Sequence, residues 1–175
     1  MAEAVASAPI QPVRFARPGT ARTIALLLPA ALLAGAFGSQ YFGGLYPCEM
    51  CWWQRYAHMV AIVPALLAIS PVVDAKRSRL FVLLAALAIA VSGAIAVYHA
   101  GVELKVFEGF TTCTTTATAG GSTAEMLRKI TAAPLIRCDQ IQWSFLGISL
   151  AGWNAIISLG GAALIVILTL KEGRQ

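Results

Sequence analysis

Residues 80–97 read LFVLLAALAIAVSGAIAV and contain no charged side chain. They belong to an apolar stretch, Leu80–Gly101, that at about 1.5 Å per residue is long enough to cross a hydrocarbon core of ~30 Å. Because unpaired backbone groups are costly in lipid, such a stretch is predicted to form a transmembrane helix. Three further stretches have similar length and composition and receive the same prediction: Thr23–Phe42, Trp52–Val73 and Phe145–Leu170.

The composition favours a membrane protein over a soluble one. The chain has 175 residues, of which 58% are hydrophobic and 12% charged, whereas soluble domains are about half apolar and about a quarter charged. A soluble helical bundle would need polar helix faces, which residues 80–97 lack. The net charge of +5 does not indicate nucleic-acid binding, because the basic residues cluster at the ends of apolar runs.

These basic residues predict the orientation in the membrane. One side would carry three clusters, and the loop at residues 43–50 on the other side contains no Lys or Arg. The positive-inside rule therefore places both termini of a multi-pass membrane protein in the cytoplasm. All four cysteines then lie on the outer side or at its membrane boundary. In a bacterium, with the protein in the inner membrane, the outer side is the periplasm, where disulfides persist. The three clusters are Arg14, Arg17 and Arg22; Lys76, Arg77 and Arg79; and Lys171 and Arg174.

The predicted fold is an all-α integral membrane four-helix bundle with a long periplasmic loop that contains a short helix. Residues 1–22 form a cytoplasmic segment, residues 23–170 the four-helix domain, and residues 171–175 a cytoplasmic tail. The periplasmic loops cover about 43–51 and 102–144, and a capping-box pattern at Ser122–Glu125 predicts the start of the short helix. The first apolar run is too long for the core of a cleaved signal peptide.

A Cys-X-X-Cys pair leads into the second predicted span, in the sequence PCEMCWWQR at residues 47–55. Free amides and the helix dipole stabilise a thiolate at a helix N-terminus, and Cys51 lies further into the helix than Cys48. The sequence alone allows three pairings of the four cysteines, which include Cys113 and Cys138. Structural zinc sites usually have two short-spaced cysteine pairs, and this chain has one, so no metal site is predicted.

Arg55 and His58 extend the stripe of Cys51 along one helix face, at spacings of four and three residues. Ionisable residues within a span are candidates for function, so Arg55 is predicted to stabilise a Cys51 thiolate and to bind a carbonyl-bearing ligand. The alternative is an arginine that extends to the lipid headgroups. His58 and His99 are candidate ligand-binding residues, and each is equally consistent with a hydrogen-bonded histidine inside the bundle.

Taken together, these features resemble the disulfide bond formation protein B (DsbB) family. The resemblance is carried by four spans, the Cys48–Arg55 motif, the outer loop with its two cysteines, the segment CDQIQWSFLG at residues 138–147, and Tyr98-His99. It covers the chain from about residue 20. One departure is Gln54, where members of the family can have an acidic residue before the arginine.

The resemblance implies a thiol:quinone oxidoreductase that reoxidises a periplasmic DsbA-like disulfide oxidase and so supports disulfide bond formation. The partner would attack a Cys113–Cys138 disulfide at Cys113, and Cys138 would then attack Cys48. Cys51 would leave as a thiolate and donate electrons to ubiquinone or menaquinone from the membrane pool, with Arg55 in support. Of two competing hypotheses, one is a vitamin K epoxide reductase-like enzyme, although its Cys-X-X-Cys usually comes late in the bundle. The other is a non-catalytic membrane protein with structural disulfides or a metal, and a paralogue that serves a dedicated oxidase is also compatible.

Overall fold

The computed structural model describes residues 19–109, 114–115, 122–124 and 135–172, and within them it has four long helices. Neighbouring helices run antiparallel and pack in a ring, so that the fourth helix contacts both the first and the third. At one end of the ring the backbone N–H of Ala21 donates to Oε1 of Glu172 at 3.2 Å, which brings the first and last helices together. The helices are α1, Thr20–Tyr41; α2, Glu49–Ile69; α3, Ala75–Glu103; and α4, Leu150–Glu172.

The four predicted helices are present, but their ends differ from the ends of the apolar runs. Helix α3 begins five residues before Leu80, because the Asp74 side chain caps it by accepting from the backbone N–H groups of Lys76 and Arg77, each at 3.0 Å. Helix α2 begins at Glu49 and ends at Ile69, where Ser70 and then Pro71 follow. Hydropathy therefore located the apolar middle of each helix, while local capping determined where each helix ends.

The prediction that the fourth helical run begins at Phe145 is wrong. Residues 144–149 form a hairpin in which Ser144 pairs with Ser149 and Phe145 with Ile148. Its two central residues, Leu146 and Gly147, have positive φ angles of 53° and 77°, as a two-residue turn of type I′ requires. The strands are β1, Thr114–Thr115; β2, Leu135–Ile136; β3, Ser144–Phe145; and β4, Ile148–Ser149, with β1 antiparallel to β2.

Small side chains fill the centre of the helix ring, and large apolar side chains cover its outside. The buried core is dominated by alanines from all four helices, such as Ala25, Ala61, Ala85 and Ala162. A Cβ atom added to Gly93 would lie 2.8 Å from Cγ of Leu159, so α3 and α4 approach closely at this glycine. This distribution is typical of helices that pack within lipid. The outward-facing apolar residues include Leu27, Val60, Val63, Leu87 and Ile167.

Within the described residues, three helices are long and apolar enough to cross a membrane: α1, α3 and α4. Helix α2 has 21 residues, but its first turns carry the polar residues of the Cys48–Arg55 motif. The predicted loop helix lies outside the described residues except for Ser122–Ala124, and Cys113 lies outside them too.

Candidate active site

Cys48 and Cys51 stand at the first turn of α2, at the end of the ring opposite Ala21 and Glu172. Cys48 is the N-cap residue, and its Sγ accepts a hydrogen bond of 3.4 Å from the backbone N–H of Cys51. The two Sγ atoms lie 3.0 Å apart, about 1 Å further than the length of a disulfide bond. The two-residue spacer thus places the sulfurs so that a small displacement is enough to make or break a disulfide.

Cys138 and His99 contact Cys48 from its other sides. The Sγ atoms of Cys48 and Cys138 and a ring nitrogen of His99 all lie within 4.8 Å of one another, and His99 Nε2 is 3.5 Å from Cys48 Sγ. The contact with Cys138, then the contact with Cys51 and burial, raise the pKa of the Cys48 thiol. Cys48 therefore has a candidate sulfur partner on each side, and it retains its proton when Cys51 gives one up.

An ionic clamp on Asp139 holds the segment that carries Cys138. Arg137 donates to both carboxylate oxygens of Asp139, at 2.8 and 2.7 Å, and Lys105 Nζ donates to Oδ2 and to the backbone carbonyl, each at 2.6 Å. The Arg137 guanidinium first, and the Lys105 ammonium second, hold the pKa of the Asp139 carboxyl well below its usual range. Because Lys105 lies two residues after the last residue of α3, the clamp ties Cys138 to the end of the helix that carries His99.

A chain of side-chain amides fixes the ring of His99. The side-chain nitrogen of Gln54 lies 2.9 Å from Nδ1 of His99, and Asn154 donates its own side-chain nitrogen to Oε1 of Gln54 at 2.7 Å. An amide nitrogen only donates, so His99 Nδ1 accepts, and the neutral ring has its proton on Nε2. This N–H is the one that faces Cys48.

The same chain continues to His58, deeper in the bundle. His58 Nε2 lies 3.0 Å from Oδ1 of Asn154 and 2.9 Å from Oγ of Ser92, and Ser158 donates to Oδ1 of Asn154 at 2.8 Å. All of this lies inside the helix ring, and His58 is 3% exposed. His58 Nδ1 has no hydrogen-bond partner among the described residues.

Arg55 is buried between α1 and α2 and does not extend to the surface. Its Nη1 donates to Oε1 of Gln40, and its Nη2 donates to the carbonyl of Ala36 at 2.9 Å. The guanidinium carbon lies 4.9 Å from the ring centroid of Phe37 and 5.1 Å from that of Trp52, within the range of cation–π interactions. The sequence also allowed an arginine that extends to the lipid headgroups. In the structure, the Arg55 guanidinium lies inside the protein instead.

A cavity of about 310 Å³ lies beside the two cysteines of α2, between α1, α2 and α4 at the Cys48 end of the helix ring. This volume is at the lower end of the range for small-molecule pockets. Its wall combines polar side chains, such as those of Gln54, Arg55 and His99, with alanine, leucine and aromatic side chains. Among the residues that line it are Leu32, Leu33, Ala36, Cys48, Cys51, Gln54, Arg55, His58, His99, Glu103, Trp143, Trp153 and Asn154.

A family described as "Disulfide bond formation protein DsbB" matches residues 18–168. The chain belongs to the DsbB family. Among relatives named "Disulfide bond formation protein B", the one from Azoarcus sp. (strain BH72) is 32% identical over 83% of this chain and 87% of its own length. The relative from Marinobacter nauticus is 28% identical over 76% of this chain and 80% of its own. No solved structure matches the chain.

Membership of the DsbB family gives the chain a role in disulfide bond formation and the activity of a disulfide oxidoreductase. It also separates the chain from the vitamin K epoxide reductase-like alternative. Three spans long and apolar enough to cross a membrane fit a multi-pass membrane protein of this family.

The structure gathers most of the residues that the sequence singled out. Cys48, Cys51, Arg55, His58 and His99 all line the cavity. Cys138 contacts Cys48, and Cys113 lies outside the described residues.

Sequence reasoning missed the polar residues that connect the histidines. Gln54 was noted only as a departure from the family, and Ser92, Asn154 and Ser158 were not noted at all. The available signal was their occurrence inside apolar runs, where polar side chains are uncommon and usually face the bundle interior. The four-residue spacings from Gln54 to His58 and from Asn154 to Ser158 place each pair on a single helix face.

Proposed function

We propose that this protein is a thiol:quinone oxidoreductase that reoxidises a periplasmic DsbA-like disulfide oxidase and passes the electrons to a membrane quinone. The proposal goes beyond the family's role in disulfide formation by naming both the electron donor and the acceptor. The observation that carries it is the position of Cys48, which lies 3.0 Å from Cys51 on one side and in contact with Cys138 on another, beside an apolar cavity.

The donor side of the relay uses Cys113 and Cys138. A thiolate of the partner attacks Cys113 of a Cys113–Cys138 disulfide, which forms a mixed disulfide and releases Cys138 as a thiolate. The second thiol of the partner then releases Cys113, so the partner leaves oxidised. The pairing of Thr114 with Ile136 supports this assignment, because these strand residues lie close in sequence to the two cysteines.

The acceptor side uses Cys48 and Cys51. The Cys138 thiolate attacks Cys48 of a Cys48–Cys51 disulfide, and Cys51 leaves as a thiolate. Cys113 then attacks Cys138, which restores the Cys113–Cys138 disulfide and frees Cys48. The protein now holds two electrons as the Cys48–Cys51 dithiol. The raised pKa of Cys48 favours a proton on Cys48 and the negative charge on Cys51.

The residues around the cavity fit a quinone. A bound quinone, ubiquinone or menaquinone, would accept the two electrons with two protons and leave as quinol, while Cys48 and Cys51 return to a disulfide. The apolar wall suits its ring and tail. Arg55 has five N–H donors, of which Gln40 and Ala36 accept from two, so it can also donate to a ligand carbonyl. His99 and His58, both on the cavity wall, are the further residues proposed to bind it.

The proposed setting is the bacterial inner membrane, with α2 as the fourth span. Helix α2 packs against α1 and α3, two of the helices that can cross a membrane, and is long enough to cross with them. Residues 23–170 would then form the membrane domain, with residues 1–22 and 171–175 cytoplasmic and the cysteines periplasmic. The basic residues at the Ala21 and Lys76 end of the ring support this orientation.

Quinone reduction by the purified protein in detergent tests the proposal, with a reduced DsbA-like oxidase as donor. We expect quinone loss that requires the donor, and we expect Cys51→Ser to abolish it while leaving the helical content unchanged. If a folded wild-type protein reduces neither ubiquinone nor menaquinone analogues, the proposed acceptor is wrong. A Cys51→Ser variant that unfolds would instead indicate a structural disulfide.

A further inference from the structure

We propose that the reduced protein has a binding site for a thiophilic divalent cation, Zn²⁺, formed by Cys48, His99 and Cys138. No resident metal is needed for the reaction proposed above, so this site would be regulatory. It would exist only when Cys48 and Cys138 are both thiols, because a sulfur in a disulfide does not bind zinc as a thiolate does. The relay geometry thus creates a site that the oxidised protein lacks.

The spacing of the three ligand atoms suits tetrahedral zinc. Zn–S bonds of about 2.3 Å and Zn–N bonds of about 2.0–2.1 Å require S···S separations near 3.8 Å and S···N separations near 3.6 Å. The Cys48 Sγ to His99 Nε2 distance is 3.5 Å, and all three atoms lie within 4.8 Å of one another. Closing around a zinc ion therefore requires each ligand to move by no more than about 1 Å.

Zinc binding involves a change of protonation at the three ligands, and the nearby charge suits a cation. Binding replaces the two thiol protons, so two protons leave as Zn²⁺ enters. For His99 Nε2 to bind the ion, the ring proton moves to Nδ1, and the Gln54 amide, which donates to Nδ1 in this structure, turns so that its oxygen accepts. The carboxylate of Glu103 lies 3.8 Å from His99 Nε2, which adds negative charge beside the site. With three protein ligands the fourth position is left for a water molecule or for a further side chain.

Zinc at this site would block the proposed relay. It would occupy Cys48 and Cys138, so Cys138 could not attack, and the Cys48–Cys51 disulfide could not form again. Only this consequence rests on the proposed function, because zinc affinity is measurable without an electron acceptor or a partner protein. Inhibition would be confined to the reduced enzyme and reversed by a chelator.

Zinc titration of the reduced protein tests the site directly. The detergent-solubilised full chain is reduced, freed of reductant under nitrogen, and titrated with Zn²⁺ against a chromophoric chelator. We expect one equivalent to bind, and we expect Cys138→Ser and His99→Gln each to weaken binding at least about tenfold. Cobalt(II) in place of zinc should give a thiolate-to-metal charge-transfer absorption that Cys138→Ser diminishes.

Two matched variants separate this site from the other dithiols. Cys51→Ser keeps all three proposed ligands, and Cys113→Ser removes the remaining thiol, so both should bind Zn²⁺ within about twofold of the wild type. If Cys51→Ser loses zinc affinity and Cys138→Ser keeps it, the ion binds to the Cys-X-X-Cys pair, and the proposal is overturned. Equal affinity in the oxidised protein would also overturn it. If His99→Gln loses its helical content, Cys138→Ser still tests the site. This variant replaces one sulfur atom by oxygen in a residue that lies outside the helices.

Discussion

The side-chain amide of Gln54 donates to Nδ1 of His99 at 2.9 Å, and the opposite ring nitrogen of His99 lies 3.5 Å from the sulfur of Cys48. The residue just before Arg55 thus determines which nitrogen of His99 faces the cysteines. A glutamate at this position would accept a hydrogen bond from an Nδ1–H of His99, whereas the glutamine donates a hydrogen bond to Nδ1. The amide therefore favours a neutral His99 with its Nε2–H directed at Cys48.

We expect Gln54→Leu to slow turnover at Cys48 by roughly twofold to tenfold, the effect of losing a hydrogen bond of about 0.5–1.5 kcal/mol. The reason is that His99 Nδ1 loses its donor and the ring is free to rotate away from Cys48. The measurement is the rate of quinone reduction with a small dithiol as donor. Val60→Leu, on the outward face of α2, is the matched control and should retain the wild-type rate. An unaltered rate in Gln54→Leu would remove the positioning role of the amide.

Cys48 and Cys138 should form a disulfide with each other when they are the only cysteines left. In the double variant Cys51→Ser with Cys113→Ser, we expect mild oxidation to link them within the monomer, because their Sγ atoms are within 4.8 Å and a disulfide needs only a small approach. Peptide mass spectrometry after proteolysis under non-reducing conditions detects the link.

The control for this cross-link is the double variant Cys48→Ser with Cys113→Ser, which leaves Cys51 and Cys138. Cys51 shares the Cys-X-X-Cys pair but does not belong to the group of Cys48, His99 and Cys138, so it should cross-link much more slowly. Similar rates in the two double variants would mean that loop motion, and not the position of Cys48, selects the partner of Cys138.

Cys113→Ser should block oxidation of the protein partner and spare quinone reduction driven by a small dithiol that reduces the Cys48–Cys51 pair. The reason is that the proposed relay needs Cys113 to take electrons from the partner, whereas a small dithiol reduces the Cys48–Cys51 disulfide without Cys113. Both rates are measured on one preparation, so the variant serves as its own control for folding. Normal partner oxidation in Cys113→Ser would refute the relay as proposed.

Arg55→Ala should weaken the apparent affinity for quinone about tenfold or more, because the cavity loses the guanidinium held between α1 and α2, and a charge-assisted hydrogen bond is typically worth about 1.5–3 kcal/mol. Arg55→Lys should recover only part of the affinity, since an ammonium cannot donate to Gln40 and Ala36 in the same fork geometry. The measurement is the KM for quinone at a saturating donor concentration. An unchanged KM in Arg55→Ala would contradict the assigned role.

The sequence predicted much of the fold for a simple physical reason. Length and hydropathy are strong constraints in lipid, so the four helices could be found from runs such as Leu80–Gly101. The helix ends could not, because they depend on local groups such as the Asp74 cap. The start of α4 was missed because the hairpin turn at Leu146 needs a positive φ at a leucine, which hydropathy does not register.

The parts of the candidate site that depend on the chemistry of individual residues could be predicted from the sequence. The cysteine spacing and a charge within a span pointed to Cys48, Cys51 and Arg55 without a structure. The contact between Cys48 and Cys138 was not predictable from spacing, since it depends on how the loop folds back through the Asp139 clamp. The links from His99 to Asn154 join α2, α3 and α4, so only the packing of the helices reveals them.

Asp139→Asn should slow the oxidation of the protein partner and lower the thermal stability at neutral pH, because the clamp from Arg137 and Lys105 positions Cys138. The folded pKa of Asp139 is depressed, so its stabilising contribution is fully present above the unfolded value of about 3.9 and is lost as the pH falls towards the folded value. The difference in Tm between Asp139→Asn and the wild type should therefore be constant from about pH 8 to pH 5 and shrink below about pH 4.

Asp74→Ala, which removes the helix cap, is the control for this prediction. Asp74 also has a depressed pKa, caused first by the backbone N–H of Arg77, so the pH dependence of its contribution has the same sign. It caps α3 at the end of the helix remote from His99 and the cysteines. Its loss should therefore lower Tm without changing the rate of Cys48–Cys138 cross-linking, whereas Asp139→Asn should lower both. Equal cross-linking rates in the two variants would show that the clamp stabilises the loop without positioning Cys138.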